Sequence, residues 1–282
     1  MSTITIVDTP DVLRHNALAW DKECDDQGEW SRPVNADIIA SARGGDWQVV
    51  LTPLKPVPRE WFGDVKGRDV LCLASGGGQQ GPILSAAGAH VTVLDQSPKQ
   101  LECDRFVAQR ESLEMRLVRG DMADLSMFED ASFDIVFHPC SNLFTAEIRA
   151  VWRESFRVLR PNGVLMSGFL NPLFYMFDRE LDRQGSLVVK HALPYSDLTR
   201  WKLEDRKLDP EKGEPLEFGH LLTDQIGGQI DAGFVIAGFY EDTWTDKATT
   251  LNKYTPTFIA TLALKPGALG LNPGALGLNP GS

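Results

Sequence analysis

Short apolar runs alternate with amphipathic stretches through the middle of this chain. The runs lie at residues 70–73, 90–95, 115–118, 133–137 and 164–169, and each has the length of one strand. Between them, apolar residues recur at helical spacing, most clearly over residues 97–111 and 147–160. Strands that alternate with helices favour a parallel sheet covered on both faces. The pattern therefore predicts an α/β, doubly wound fold.

The two ends of the chain depart from this alternation. Residues 9–30 have a helical pattern and residues 30–58 are rich in proline and aromatic side chains, so we interpret residues 1–68 as an N-terminal helical cap or lid. Within it, His15, Asn16 and Trp20 line a pocket, or else Trp20 packs on the core face of the helix and His15 lies at the surface. Residues 266–282 repeat a Pro/Gly-rich heptapeptide, which predicts a flexible tail outside the functional argument.

The first apolar strand leads into a glycine-rich turn. Its residues, in order, are Ala74, Ser75, Gly76, Gly77, Gly78, Gln79 and Gln80. Glycine has no Cβ, so the backbone of such a turn can approach a ligand closely. The second strand ends at Asp95, where a carboxylate is placed to accept hydrogen bonds from both hydroxyls of a ribose. Together the turn and the acid predict a nucleoside-binding pocket.

Further motifs follow the glycine turn in a definite order. They are Asp95-Gln96-Ser97-Pro98, Gly120-Asp121-Met122-Ala123-Asp124-Leu125, the strand at 133–137 and Arg157-Val158-Leu159-Arg160-Pro161-Asn162-Gly163-Val164-Leu165. Spanning residues 69–170, this series resembles the class I, Rossmann-like S-adenosylmethionine (SAM) dependent methyltransferases. The family often has an acid and a glycine where this chain has Cys72 and Ala74.

The resemblance implies a mostly parallel seven-stranded sheet within a SAM-binding domain at residues 69–265. The runs at 235–240 and 257–264 would form its C-terminal antiparallel hairpin. Residues 171–215 would be an insertion after the fifth strand that shapes the acceptor pocket, with an added strand at 186–193. The cofactor would be SAM and the product S-adenosylhomocysteine. The implied cofactor-binding residues are Ala74, Ser75, Gly76, Gly77, Gly78, Gln79, Gln80, Asp95, Gln96, Asp121, Met122 and His138.

The carboxyl end of the fourth strand is the second candidate for chemistry. Ligands bind beyond the carboxyl ends of strands in open α/β sheets, so His138 and Asn142 should face the cleft. His138 is a candidate general base, because imidazole takes a proton near neutral pH, or else a structural or positioning residue. Tyr175 is the third catalytic candidate, with core packing as the alternative.

The composition of the chain limits the classes of partner that we expect it to bind. The 282 residues carry a formal charge of −11, whereas nucleic-acid binding normally needs a basic surface. We therefore expect a small-molecule acceptor and no nucleic-acid partner, in a monomer or homodimer. Neither a signal-peptide pattern nor an apolar run of bilayer length is present, so we expect a soluble, cytoplasmic protein without a membrane partner. The five histidines are widely separated, and no metal site is expected.

The predicted function is methyl transfer from SAM to an oxygen, nitrogen or sulfur atom of a small molecule. Two alternatives remain open. The glycine pattern also occurs in NAD(P)-dependent oxidoreductases, although none of the four tyrosines here is followed by a lysine four residues later, as in short-chain dehydrogenases. A protein that binds SAM without turnover is the other alternative.

Overall fold

The computed structural model describes residues 9–203, 213–245 and 247–267. Its main feature is a seven-stranded sheet in the order β3-β2-β1-β4-β5-β9-β8. Strands β1 to β5 are parallel, and β9 runs antiparallel to both β5 and β8. The bounds are β1 Asp69–Leu73, β2 His90–Asp95, β3 Met115–Arg119, β4 Phe133–His138, β5 Leu159–Leu170, β6 Tyr195–Ser196, β7 Phe218–Gly219, β8 Val235–Asp242 and β9 Phe258–Leu264. The predicted fold class, including the antiparallel hairpin, is confirmed.

Eight α-helices are assigned within the described ranges. They are α1 Thr9–Asp25, α2 Ala36–Arg43, α3 Gln80–Ala86, α4 Pro98–Glu111, α5 Ile148–Val158, α6 Arg179–Arg183, α7 Asp197–Leu203 and α8 Gly228–Asp231. Helix α4 begins as its sequence predicts, because Ser97 caps it by accepting a hydrogen bond from the Gln100 amide and Pro98 is its first residue. None of these helices has the length and apolar character needed to cross a bilayer.

The apolar core has two layers because the sheet is covered on both faces. Successive side chains of a strand point to opposite faces, and β1 shows this directly. Val70 and Cys72 belong to the layer with α2 and α3, whereas Leu71 and Leu73 belong to the layer with α5. All four side chains are fully buried, which explains the near-continuous apolar run of this strand.

The region after β5 folds differently from its prediction. Residues 186–193 do not form a strand; a single bridge joins Val189 to Phe177. Val188 and Val189 are exposed, so this run has no apolar face to bury in a sheet. Instead, a 3-10 turn at Pro172–Met176 leads into α6, and β6 pairs with β7 as a separate two-stranded sheet. The predicted flexible tail lies outside the described residues from 268 onward.

A segment at residues 50–55 crosses over the carboxyl ends of the strands. The Leu51 carbonyl accepts a hydrogen bond from the Cys140 amide at 3.0 Å. It lies so close to β5 that a Cβ on Gly168 would be 2.0 Å from the Leu51 oxygen. Asp242, at the end of β8, accepts hydrogen bonds from the Thr52 hydroxyl and the Leu54 amide. The segment is therefore fixed above the sheet by backbone contacts.

Candidate active site

The glycine turn between β1 and α3 has the backbone conformation that its sequence predicts. Gly77 and Gly78 have φ values of +102° and +71°, in the region that favours glycine. A Cβ on Gly76 would lie 2.7 Å from the Gln100 Cβ, so a larger residue does not fit there. Ala74 also has a positive φ of +47°, which is unusual for a residue with a side chain.

Asp95 lies at the tip of β2 beside this turn. Its carboxylate accepts hydrogen bonds from the Gly76 amide at 3.0 Å and the Ser97 amide at 2.9 Å. Burial raises the pKa of Asp95 to about 6, although these amides favour the charged form. Each carboxylate oxygen accepts one backbone donor and has a second lone pair available for a ligand hydroxyl.

One cavity of about 470 Å³ lies above the carboxyl ends of the strands. We name two groups of its lining residues by their place along the chain. The first group, the proximal half, is Trp20, Glu23, Trp30, Ala74, Ser75, Gly76, Gln79, Gln80, Asp95, Gln96, Gln100, Gly120 and Met122. The second group, the distal half, is Pro139, Cys140, Ser141, Leu143, Phe144, Leu170, Phe174, Arg179, Asp182, Arg183, Glu214, Pro215, Glu217, Trp244, Ala248 and Phe258. Residues 50–53 line the cavity as well.

Most of the residues predicted to bind the cofactor meet in the proximal half. Asp121 does not line the cavity in this structure; its Oδ1 accepts a hydrogen bond from the Ala123 amide, while its neighbours Gly120 and Met122 line the wall. Desolvation by burial raises the pKa of Asp121. The two glutamine side chains bind the N-terminal segment. Gln79 donates to the carbonyls of Glu29 and Arg32, and Gln80 accepts from the Val50 amide.

Helix α1 covers part of the cavity. Trp20 lines it and packs edge-on against Phe144, with ring centroids 5.1 Å apart. His15 and Asn16 are buried and do not line it. The Asn16 amide donates to the carbonyl of Phe144, and its oxygen accepts from the Leu216 amide. Trp20 therefore takes the pocket position. Both alternatives for His15 are wrong, because it is buried and joins α1 to the Glu214 carbonyl instead.

His138 is placed behind the cavity wall. Its side chain is fully buried, and Nδ1 donates to the Leu73 carbonyl at 2.9 Å. Because a carbonyl oxygen only accepts, Nδ1 carries the proton and Nε2 is the unprotonated nitrogen. Nε2 is buried and has no hydrogen-bond partner among the described residues, and the ring packs edge-on against Trp152. Burial lowers the pKa of His138 to about 4. Since His138 does not line the cavity, its position fits the structural alternative.

Asn142 and Tyr175, the other two catalytic candidates, are also buried away from the cavity. The Asn142 amide donates to the Gln225 side chain at 3.0 Å. The Tyr175 ring stacks on Tyr195, and its hydroxyl donates to Glu217. Tyr175 thus takes the core-packing alternative.

Sequence reasoning missed two features of the site. Arg179 and Glu217 line the distal half and form an ion pair across 38 positions of sequence, which residue spacing cannot reveal. Asp104 is fully buried beneath the glycine turn, and desolvation raises its pKa well above the usual value for a carboxyl. Asp104 had a sequence signal, since it lies between Leu101 and Val107 on the apolar face of α4.

Within the described ranges, no group of three or more His, Cys, Asp or Glu side chains is arranged to hold a metal ion. Cys140 lines the distal half, but burial raises the pKa of its thiol to about 12, which keeps it protonated. Cys72 is fully buried inside β1, where burial also raises the pKa of its thiol. Neither thiol is suited to act as a nucleophile.

The sheet order, the glycine turn and the acid at the tip of β2 define a Rossmann-like protein with a nucleoside site. The model of the methyltransferase domain family matches residues 71–167. The chain is 50% identical over 254 residues to the "uncharacterized methyltransferase YbaJ" of Bacillus subtilis, covering 90% of this chain and 98% of that protein. The chain therefore belongs to the class I SAM-dependent methyltransferases, and its cofactor is SAM.

Solved structures agree with this fold. A SAM-dependent methyltransferase from Mesorhizobium loti superposes with a TM-score of 0.56 at 18% identity, covering 73% of this chain and 94% of that one. A curated relative, the demethylmenaquinone methyltransferase of Clavibacter sepedonicus, is 35% identical over 131 residues, 46% of this chain and 51% of its own length. The family assignment decides against the oxidoreductase alternative.

Proposed function

We propose that this enzyme transfers the methyl group of SAM to an oxygen, nitrogen or sulfur atom of a small molecule. The observation that carries the proposal is one cavity lined both by residues of the family motifs, in its proximal half, and by a second set of apolar and charged side chains, in its distal half. Its volume of about 470 Å³ lies in the range of small-molecule sites. The net charge of −11 also argues against a polyanionic acceptor.

In the proximal half, the residues present fit the cofactor. Asp95 would accept the ribose hydroxyls with the lone pairs that its two backbone donors leave available. Met122, which is 7% exposed on the cavity wall, would pack on the adenine ring, with Asp121 nearby. The glycine turn leaves room for the backbone to approach the rest of the molecule.

Glu23 would supply the carboxylate near the amino group of SAM. The family often has an acid at the position of Cys72, which is fully buried here and does not line the cavity. Glu23 and Asp95 are the two carboxylate residues of the proximal half within the described part of the chain. Since Asp95 is placed for the ribose, the lid helix α1 supplies the remaining acid.

SAM supplies a methyl group bound to a sulfonium sulfur. The acceptor atom would bond to the methyl carbon in line with the carbon–sulfur bond, and the sulfur would leave as part of S-adenosylhomocysteine. The chain's own contribution is to hold the acceptor in the distal half and to exclude water, and such orientation supplies several kcal/mol, up to about 7 or more. The Cys140 thiol is protonated, and His138 does not reach the cavity. The acceptor atom would therefore be nucleophilic without a general base from these two residues.

Calorimetric titration with S-adenosylhomocysteine and with NADH tests the cofactor assignment. We expect binding of the first ligand only, and we expect Asp95→Asn to weaken it at least tenfold, because hydrogen bonds to a buried carboxylate contribute about 1.5–3 kcal/mol each. Asp124→Asn is the matched control, since Asp124 is exposed and does not line the cavity.

Methyl transfer from labelled SAM to a panel of phenols, amines and thiols then tests the acceptor. Incorporation into a small molecule supports the proposal. Incorporation into added RNA or protein alone would contradict it.

A further inference from the structure

The distal half of the cavity combines apolar walls with a fixed cation. Aromatic and aliphatic side chains from four parts of the chain form the walls: Phe144, Leu170, Phe174, Trp244 and Phe258. Arg179 and Arg183 are spaced four residues apart, at the two ends of α6, and both line this half. An acceptor that fills this space therefore meets apolar surface and two guanidinium groups.

Arg179 is held rigidly. Its guanidinium lies over the rings of Phe174, Tyr175 and Tyr195, with its central carbon 5.4, 5.4 and 6.0 Å from the ring centroids. One terminal nitrogen donates to Glu217, whose same oxygen also accepts from the Tyr175 hydroxyl. Cation–π contacts and an ion pair together fix the plane of the fork.

Most of the donors of Arg179 remain available to a ligand. A guanidinium has five N–H donors, and the bond to Glu217 uses one of them. Within the described ranges, no other protein acceptor bonds Arg179, and its side chain is 26% exposed. The side chain lines the distal half, so its unused donors are available to a ligand there.

The carboxylates that line the distal half do not favour a cationic acceptor over an anionic one. Asp182 already accepts hydrogen bonds from the Thr249 hydroxyl and the Thr250 amide, and Glu217 is bonded to Arg179 and Tyr175. Glu214 also lines this half and is exposed, so solvent screens its charge. These contacts leave the guanidinium groups as the charged groups best placed to meet an acceptor.

Further Arg and Lys side chains lie beyond the cavity, and two of them, Lys190 and Arg200, are ion-paired with Asp178 and Asp197. A neighbouring surface pocket shares Arg179, Arg183 and Glu214 with the distal half and adds Lys190 and Arg200. It has four Arg and Lys side chains against three carboxylates, in a protein whose formal charge is −11. Arg183 lies between the two spaces, 64% exposed, with Glu180 3.4 Å away as its ion-pair partner. An exposed pair of this kind is weak and does not prevent Arg183 from binding an anion.

We propose that the methyl acceptor is an aromatic or aliphatic molecule with an oxyanion group, a carboxylate or a phosphate, which Arg179 and Arg183 bind while its apolar body packs against Phe174 and its neighbours. This inference rests on the proposed function of the cavity. Arginine forks match the two oxygens of such groups, so the anion would orient the acceptor relative to the proximal half.

The test uses the full chain saturated with S-adenosylhomocysteine and three probes: 3-phenylpropanoate, phenyl phosphate and 3-phenylpropanamide. We expect at least one anion to bind ten times more tightly than the neutral amide, and the comparison of the two anions identifies the oxyanion. Arg183→Gln should reduce this preference about threefold, and Arg179→Lys should remove it, because lysine keeps the charge and loses the planar fork. Arg153→Gln, an exposed arginine on α5, is the charge-matched control.

Equal binding of the amide and both anions would overturn the inference, as would an anion preference that survives in both variants, or binding of none of the probes. Arg183 is exposed, so Arg183→Gln stays informative even where Arg179→Lys unfolds in a thermal melt. The affinity for S-adenosylhomocysteine is measured in every variant. If the unmodified protein does not bind S-adenosylhomocysteine, the proposed function has failed. If it binds S-adenosylhomocysteine normally but shows no anion preference, this inference alone has failed.

Discussion

The Asp95 carboxylate accepts a hydrogen bond from the amide of Gly76, 3.0 Å away. This contact joins the tip of β2 to the glycine turn after β1, so the acid and the turn form one rigid unit. Asp95 is also buried, which raises its pKa to about 6. The backbone donors act in the opposite direction and favour the charged form. The charge state of this carboxylate therefore changes within an accessible pH range.

Cofactor binding should weaken in mild acid. Ribose hydroxyls donate to the ionised carboxylate, and at pH 5 only about one tenth of a group with a pKa near 6 is ionised. We expect the Kd for S-adenosylhomocysteine to rise about tenfold between pH 7.5 and pH 5, measured by calorimetry. Asp95→Asn should bind more weakly and show a much flatter pH profile. A steep profile in Asp95→Asn would assign the effect to another group.

His138 should make the fold sensitive to acid. Its folded-state pKa of about 4 lies below the usual 6.5, so between these values the unfolded chain binds the extra proton and stability falls as the pH falls. From pH 7 to pH 5 this group should cost about 2 kcal/mol of unfolding free energy.

Urea unfolding of His138→Gln at both pH values measures that contribution. Glutamine can donate to the Leu73 carbonyl but does not titrate, so the loss of stability between pH 7 and pH 5 should shrink by about 2 kcal/mol. The contribution of Asp95 has the opposite sign and cancels, because it is present in both proteins. An unchanged pH dependence would show that folding does not lower the pKa of His138.

Ala74→Gly should stabilise the protein. A Cβ at φ +47° costs about 1–2 kcal/mol, which exceeds the backbone entropy that glycine loses on folding. We expect a gain of about 0.5–1 kcal/mol in urea unfolding. Ala108→Gly, inside helix α4, is the matched control and should lose about 1 kcal/mol. A loss of stability in Ala74→Gly would mean that the alanine methyl group makes packing contacts that outweigh its strain.

Gly168→Ala should disturb the segment over the cavity. The new Cβ would lie 2.0 Å from the Leu51 carbonyl oxygen, a backbone atom that cannot rotate away. We expect a loss of about 3 kcal/mol or more in unfolding free energy and weaker acceptor binding, since residues 50–53 line the cavity.

Gly45→Ala provides the comparison for this prediction. Gly45 has a positive φ of +91° and open space around it, so its cost should be limited to backbone strain of about 1–2 kcal/mol. Equal losses in both variants would show that the contact with Leu51 has no special cost.

The sequence predicted the fold best where the signals are local. From β1 to β5, the apolar strands, the Ser97-Pro98 helix start and the glycine turn each depend on neighbouring residues, and the structure agrees with them. The run at Val188 and Val189 has the same β-branched character and does not form a strand, because a strand needs a partner edge that no sequence window contains.

The candidate site also contains some features that local sequence predicts and others that depend on contacts between distant parts of the chain. Asp95 follows from its position at the end of β2, whereas the pairing of Arg179 with Glu217 depends on β7 packing against Tyr175, where Gly219 leaves no room for a Cβ. The burial of His138 was within reach of the sequence. Strand alternation puts it on the same face as Val136, in the layer that packs against Trp152 on α5.

The two halves of the cavity are encoded in separate stretches of the chain. The proximal lining residues precede position 123, and the distal lining residues follow position 138. On the proposed assignment, mutations in the C-terminal half can change the acceptor without affecting the cofactor. Duplicated genes for this protein would then be expected to diverge in substrate first, by drift in their C-terminal halves, while their N-terminal halves remain under a common selective constraint.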